Sequence, residues 1–266
     1  MRAPVRCVLS IAGSDSGGGA GMQADIKTCL CHGVHGTVAV TCVTAQNTLG
    51  VKAIQRISTE LVRAQIVAVL DDLAPEAAKT GFLAGQDALA AIDSLAERLP
   101  PLVVDPVCVD KHGRALWDAA MLDRFRRVLL PRAVLLTPNV AEAALLTGRP
   151  VTSRAEMTVA AESLLADGAR AVLIKGGRLA GEGSPDLFVT PKDGRTWLEA
   201  PRVHTTAVLG TGDTLAAAIA CRLAQGADLA LAVSLGKAYV SRCLAVALEI
   251  GHGKGPVGHV PADPWP

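Results

Sequence analysis

The chain is 266 residues long, half of them hydrophobic, with 26 basic against 25 acidic side chains and a net charge of +1. That length suits one large α/β domain or two small ones and allows most of the unfolded surface to be buried. Balanced charge and an aromatic content of 3% exclude a polyanion-binding field and a base-stacking nucleic-acid platform.

No apolar stretch reaches about 18 residues without charge, so the sequence predicts no membrane span. The seven cysteines are scattered and odd in number, and most stand in apolar runs. They read as free thiols packed as small hydrophobes, in a reducing compartment, the cytoplasm. The six histidines show no metal spacing. Arg124, Arg126 and Arg127 read as a solvated helix face.

In chain order, short continuous runs rich in Val, Ile and Leu fall at residues 8–11, 38–43, 102–104, 134–136 and 171–174. Continuous rather than alternating runs predict strands buried on both faces. Helical patterns lie between them at 61–73, 87–99 and 155–165. The alternation predicts an α/β fold, a three-layer αβα sandwich around a doubly wound, mostly parallel sheet, with residues 1–266 as a single domain. The Gly- and Pro-rich stretch 251–266 reads as a loosely packed tail.

Ligands of open α/β sheets bind outside the carboxyl ends of the strands. Here those ends carry Gly13-Ser14-Asp15, Asp105-Pro106, Thr137-Pro138-Asn139 and Lys175-Gly176-Gly177. One edge would therefore hold an acid, an amide and a lysine, which suits phosphate and metal chemistry. After the first strand come Gly17, Gly18, Gly19 and Gly21. Gly19, Gly21 and Ala24 match the dinucleotide fingerprint formally, but residues 39–46 carry no acid for a ribose, which counts against a dehydrogenase. No P-loop pattern is present; a plain turn is the alternative for these glycines.

Gly210-Thr211-Gly212-Asp213 opens a helix at 214–224 whose Leu215, Ile219 and Leu223 recur at four-residue spacing. Glycines at a helix start leave N–H groups for an anion, and the helix dipole adds to them. Asp213 then reads either as a base beside an anion hole or as a helix cap. Asn139 and Glu142 have capping-box spacing, and Glu142 could equally hold Mg²⁺ through water. Lys175 could meet a phosphate, and Gln46 could read the polar edge of a substrate.

Seven segments occur in order across residues 8–220: SIAGSDSGGGAGMQADIKT, TAQNTLGV, AKTGFLAG, VVDPVC, LLTPNVAEAALLTG, VLIKGGRL and GTGDTLAAAIA. Together they resemble the ribokinase-like superfamily, and within it the hydroxymethylpyrimidine and phosphomethylpyrimidine kinases, with pyridoxal kinases close behind. The resemblance implies ATP and Mg²⁺ as cofactors, a hydroxymethyl heteroaromatic substrate on the thiamine pathway, and a homodimer. It implies that Gly13, Asp25, Thr44, Gln46 and Phe82 line the substrate pocket, and that Asp105, Asn139 and Glu142 organise Mg²⁺ and its waters. Asn139, Lys175 and Gly212 would meet the nucleotide. Gly210, Thr211 and Gly212 would form the anion hole, with Asp213 facing the nucleophile and Lys175 at the same phosphate position.

Three positions depart from the resemblance. Asp213 stands where many members carry Cys, although Asp is the usual base of the wider superfamily. Phe82 replaces a common Met, and Leu209 stands where His often precedes the glycine loop. A pyridoxal or pyridoxine kinase is the nearest alternative; a sugar kinase and a non-catalytic ligand sensor are more distant ones.

Overall fold

The computed structural model describes residues 5–110 and 113–262. The elements run β1 (Cys7–Asp15), α1 (Gly21–Cys31), β2 (His35–Asn47), β3 (Gly50–Arg56), α2 (Thr59–Asp72), β4 (Ala77–Thr80) and α3 (Gln86–Asp93). Next come β5 (Leu102–Val104), α4 (Ala119–Val128), β6 (Ala133–Leu136), α5 (Val140–Thr147), α6 (Arg154–Ala166), β7 (Val172–Lys175), β8 (Asp186–Thr190) and β9 (Gly194–Leu198). Two helices, α7 (Thr211–Ala224) and α8 (Leu229–Ala245), end the series. Two compact units contain them: Met1–Pro101 with Val203–Pro266, and Leu102–Arg202.

In the first unit the strand order is β3-β2-β1-β4. β1 pairs in parallel with β2 and β4, and β3 folds back antiparallel on β2. β1 is buried along almost its whole length, which is why its sequence shows no polar alternation. Helices α1, α7 and α8 pack as one group, with α1 and α7 against β1, while α2 packs against β2 and α3. Ser58 caps α2 by accepting from Leu61 N. The predicted helix at 87–99 is shorter: α3 stops at Asp93, where the Ser94 hydroxyl turns back to the Ala91 carbonyl at 2.8 Å.

In the second unit the order is β5-β6-β7-β8-β9. β5, β6 and β7 are parallel, and β8 and β9 complete the sheet antiparallel. Asn139 and Lys175 form a parallel bridge just beyond β6, so the carboxyl ends of neighbouring strands stand side by side.

Within the C-terminal stretch residues 255–258 are tightly packed, contrary to the sequence expectation, while 251–254 are exposed; residues 263–266 lie outside the described residues. Gly255, Pro256, Val257 and Gly258 are buried. Leu209 N donates to Gly255 O at 3.0 Å and Val257 N to Leu209 O at 3.1 Å, so this segment braces the residue that precedes the Gly210 turn. Lys254 N donates to Thr48 O at 3.0 Å, tying the same segment to the β2–β3 hairpin. A glycine- and proline-rich composition reads as a loose tail, but these residues serve close backbone approach instead.

Candidate active site

In the first unit the sequence-predicted glycine loop stands at the start of α7. Gly210 is the N-cap, with φ 80°, and a methyl group on it would lie 2.1 Å from the Gly19 carbonyl oxygen. Only glycine fits that position. The helix start has no side-chain cap, so Asp213 is not doing the capping its position allows. Among the described residues, the N–H groups of Gly212 and Asp213 have no acceptor, whereas Thr214 N reaches Gly210 O at 2.8 Å. Amides left without an acceptor at a helix N-terminus, with the helix dipole behind them, are able to receive an anion.

Asp213 is partly exposed, and its Oδ1 lies 3.6 Å from Nζ of Lys79. Lys79, on β4, is wholly buried and was not singled out from the sequence. Its ammonium also donates to both oxygens of Asp25, at 2.9 and 3.1 Å. Asp25 accepts a third bond, from the Ser10 hydroxyl at 2.6 Å. The resemblance puts Asp25 on the pocket wall, yet the residue is 1% exposed and its carboxylate is occupied by Ser10 and Lys79. Burial pushes the Asp25 carboxyl up to about 7, against the pull of Lys79 and with a further push from Asp213.

The glycine-rich turn after β1 is not a second anion hole. Asp15 accepts from Gly17 N at 2.8 Å and from Gly19 N and Ala20 N at 2.9 Å each. Its carboxylate fills the nest that a phosphate would need, which disposes of the dinucleotide reading. Gly21 opens α1 with φ 56°, where a methyl group would meet the Gly13 carbonyl oxygen at 2.4 Å.

Gly13 and Phe82 are neighbours: a methyl group on Gly13 would lie 3.5 Å from Phe82 Cδ1. Thr44 is buried, and its hydroxyl donates to Ser14 O at 3.0 Å and stands 3.4 Å from Gln46 Oε1. The Gln46 backbone is pinned by the Ser16 hydroxyl, at 2.7 and 2.8 Å, while its side-chain NH₂ has no acceptor among the described residues. Gly13, Thr44, Gln46 and Phe82 thus all belong to the unit that carries Asp213.

In the second unit, Lys175 at the end of β7 donates to Asp105 Oδ1 at 2.7 Å and lies 4.0 Å from Glu142 Oε2. The Thr137 hydroxyl also donates to Asp105, at 3.1 Å. Asn139 caps α5, accepting from Ala141 N and Glu142 N, and Glu142 Oε2 accepts from Asn139 N at 2.7 Å. The capping box foreseen from spacing is present and fixes where Glu142 points. Burial pushes the Glu142 carboxyl up to about 7; Lys175 opposes this and Asp105 adds to it. Among the described residues, no three His, Cys, Asp or Glu side chains form a metal-ligating group. Two carboxylates fit a Mg²⁺ ion that keeps most of its water.

The model of the phosphomethylpyrimidine kinase family matches residues 15–258. A hydroxymethylpyrimidine/phosphomethylpyrimidine kinase of Rhizobium meliloti is 48% identical over 94% of this chain and 96% of its own. One of Streptomyces coelicolor is 46% identical over 95% of this chain and 93% of its own. Among solved structures, the pyridoxal kinase of Staphylococcus aureus in complex with AMP-PCP has a TM-score of 0.90 at 31% identity, covering 97% of this chain and 95% of its own. A phosphomethylpyrimidine kinase of Clostridium difficile has a TM-score of 0.78 at 36% identity, covering 89% of this chain and 98% of its own. The fold is the ribokinase-like α/β fold, and the chain belongs to the phosphomethylpyrimidine kinase family.

Proposed function

We propose that this chain, as a single kinase domain over residues 1–266, transfers the γ-phosphoryl group of ATP to 4-amino-5-hydroxymethyl-2-methylpyrimidine and then to its monophosphate, in thiamine biosynthesis. The observation that carries the reading is Asp213 in the first turn of α7, uncapping and partly exposed, beside the unbonded amides of Gly212 and Asp213. A carboxylate there accepts the hydroxyl proton as bonding to phosphorus begins, and the amides of the Gly210-Thr211-Gly212 turn meet the developing negative charge.

Gln46, with its side-chain NH₂ available, reads a ring nitrogen of the substrate; Gly13, Thr44 and Phe82 shape the pocket around it. Lys175 and Asn139 serve the nucleotide phosphates. Asp105 and Glu142 would hold hydrated Mg²⁺, which when bound neutralises charge on the phosphates. The site belongs in the cytoplasm, where ATP is abundant and the chain's cysteines, free among the described residues, stay reduced. A homodimer is favoured by the exposed Val43, Leu49, Val51 and Ile54 of the β2–β3 hairpin.

Pyridoxal kinase is the second reading, favoured by the TM-score of 0.90 to the Staphylococcus aureus enzyme. Identity of 46–48% to the pyrimidine kinases, against 31% there, weighs for the pyrimidine. Incubation with MgATP and a panel of pyrimidine and pyridine alcohols, with products identified by mass, tests the choice. Phosphorylated hydroxymethylpyrimidine as the main product supports it; phosphorylated pyridoxal alone replaces it with the second reading.

A further inference from the structure

A lysine in the middle of a four-residue strand that is buried throughout has to be paired, because an isolated ammonium cannot be left there. Asp25 alone meets that need: the two charges cancel, and Ser10 completes the carboxylate. The approach of Asp213 Oδ1 to within 3.6 Å of the same ammonium is therefore additional to what folding demands. Four elements converge here: β1 with Ser10, α1 with Asp25, β4 with Lys79 and α7 with Asp213. Gly81 adjoins the same corner. A methyl group on it would lie 3.2 Å from Lys79 Nζ and 3.5 Å from Asp213 Oδ1, so glycine keeps that face of the two charges clear.

We infer that Lys79 is a positioning residue for phosphoryl transfer, holding the Asp213 carboxylate in place while Asp25 holds Lys79. This rests on the kinase reading of Asp213. Two carboxylates share one ammonium. With the ammonium removed, Asp25 and Asp213 repel each other, and one of them turns away or takes a proton. Either outcome disables a base that must be both unprotonated and aimed. Lys79 touches neither substrate nor nucleotide in this account; its effect passes through Asp213.

The test is a double-mutant cycle on turnover of hydroxymethylpyrimidine with MgATP. Lys79→Met should lower kcat about 10²-fold with KM for both substrates held within about threefold. In an Asp213→Asn background the same change should cost less than about threefold, because the group it acts through is already gone. Where Lys79→Met alone does not fold, the cycle is run in an Asp25→Asn background, which removes the buried counter-charge and with it the repulsion; a smaller loss, about tenfold and confined to enzymes with Asp213, is then expected from the lost hold of Lys79, and no loss there overturns the inference. Equal losses with Asp213 and with Asn at 213, or a folded Lys79→Met enzyme with full kcat, would overturn the inference. Wild-type protein without any turnover would instead remove the kinase reading and this inference with it.

Discussion

The role proposed for Asp213 leans on what the side chain does not do. An Asp in a first helical turn is ordinarily a cap or a dipole partner. Here the cap position is Gly210, without a side-chain bond, and the carboxylate instead faces the Lys79 ammonium. Asp213→Asn should lower the rate of the first phosphoryl transfer about 10²–10⁴-fold, the range for loss of a general base. The second transfer has an anionic phosphate as nucleophile and needs no base, so its loss should be smaller. Single-turnover rates with the alcohol and with its monophosphate measure both; equal losses would assign Asp213 to charge placement alone. The residue was legible because it stood next to glycines. Lys79 was not, although it lies inside the AKTGFLAG segment. A lysine flanked by small residues looks solvated until its buried partner, 54 positions away in sequence, is seen.

At the scale of elements, the strands that could be read were those whose burial left no alternation: β1, β5, β6 and β7 lie on continuous apolar runs. β4 was missed because it spends one of four positions on Lys79, and β3 because it is exposed along nearly its whole length. The C-terminal segment was misread for a different reason. Its glycines mark close backbone contacts, and its His259 stands 3.1 Å from the Thr214 hydroxyl in the first turns of α7. Burial, with help from the Lys27 ammonium, pushes the His259 imidazole down to about 4 from an ordinary 6.5. Above pH 6.5 neither folded nor unfolded chain carries that proton; between 6.5 and 4 the unfolded chain binds it and the folded one does not. Stability should therefore fall as pH drops through that window, by about 1–2 kcal/mol after allowing for solvent screening. Denaturant melts of wild type and His259→Gln across the window should show a shallower fall in the variant; parallel slopes would place the effect elsewhere.

For the molecule as a whole, the exposed apolar side chains on the β2–β3 hairpin predict self-association. Sedimentation equilibrium should give twice the chain mass, and Val51→Lys with Ile54→Lys should return it to the monomer; a monomeric wild type would refute this use of the hairpin. The family could be recognised in the sequence because its segments recur in order at strand ends, where chemistry constrains residue type. In the proposed reading, what the chain phosphorylates turns on finer detail, the Gln46 amide and the Phe82 ring, which the fold by itself does not dictate. The most direct measurement is a ³¹P NMR time course of the wild-type protein with MgATP and hydroxymethylpyrimidine. A phosphomonoester signal that appears as ATP is consumed, followed by a diphosphate ester signal, is the predicted result. ATP left intact, or consumed to inorganic phosphate with no ester formed, would contradict it.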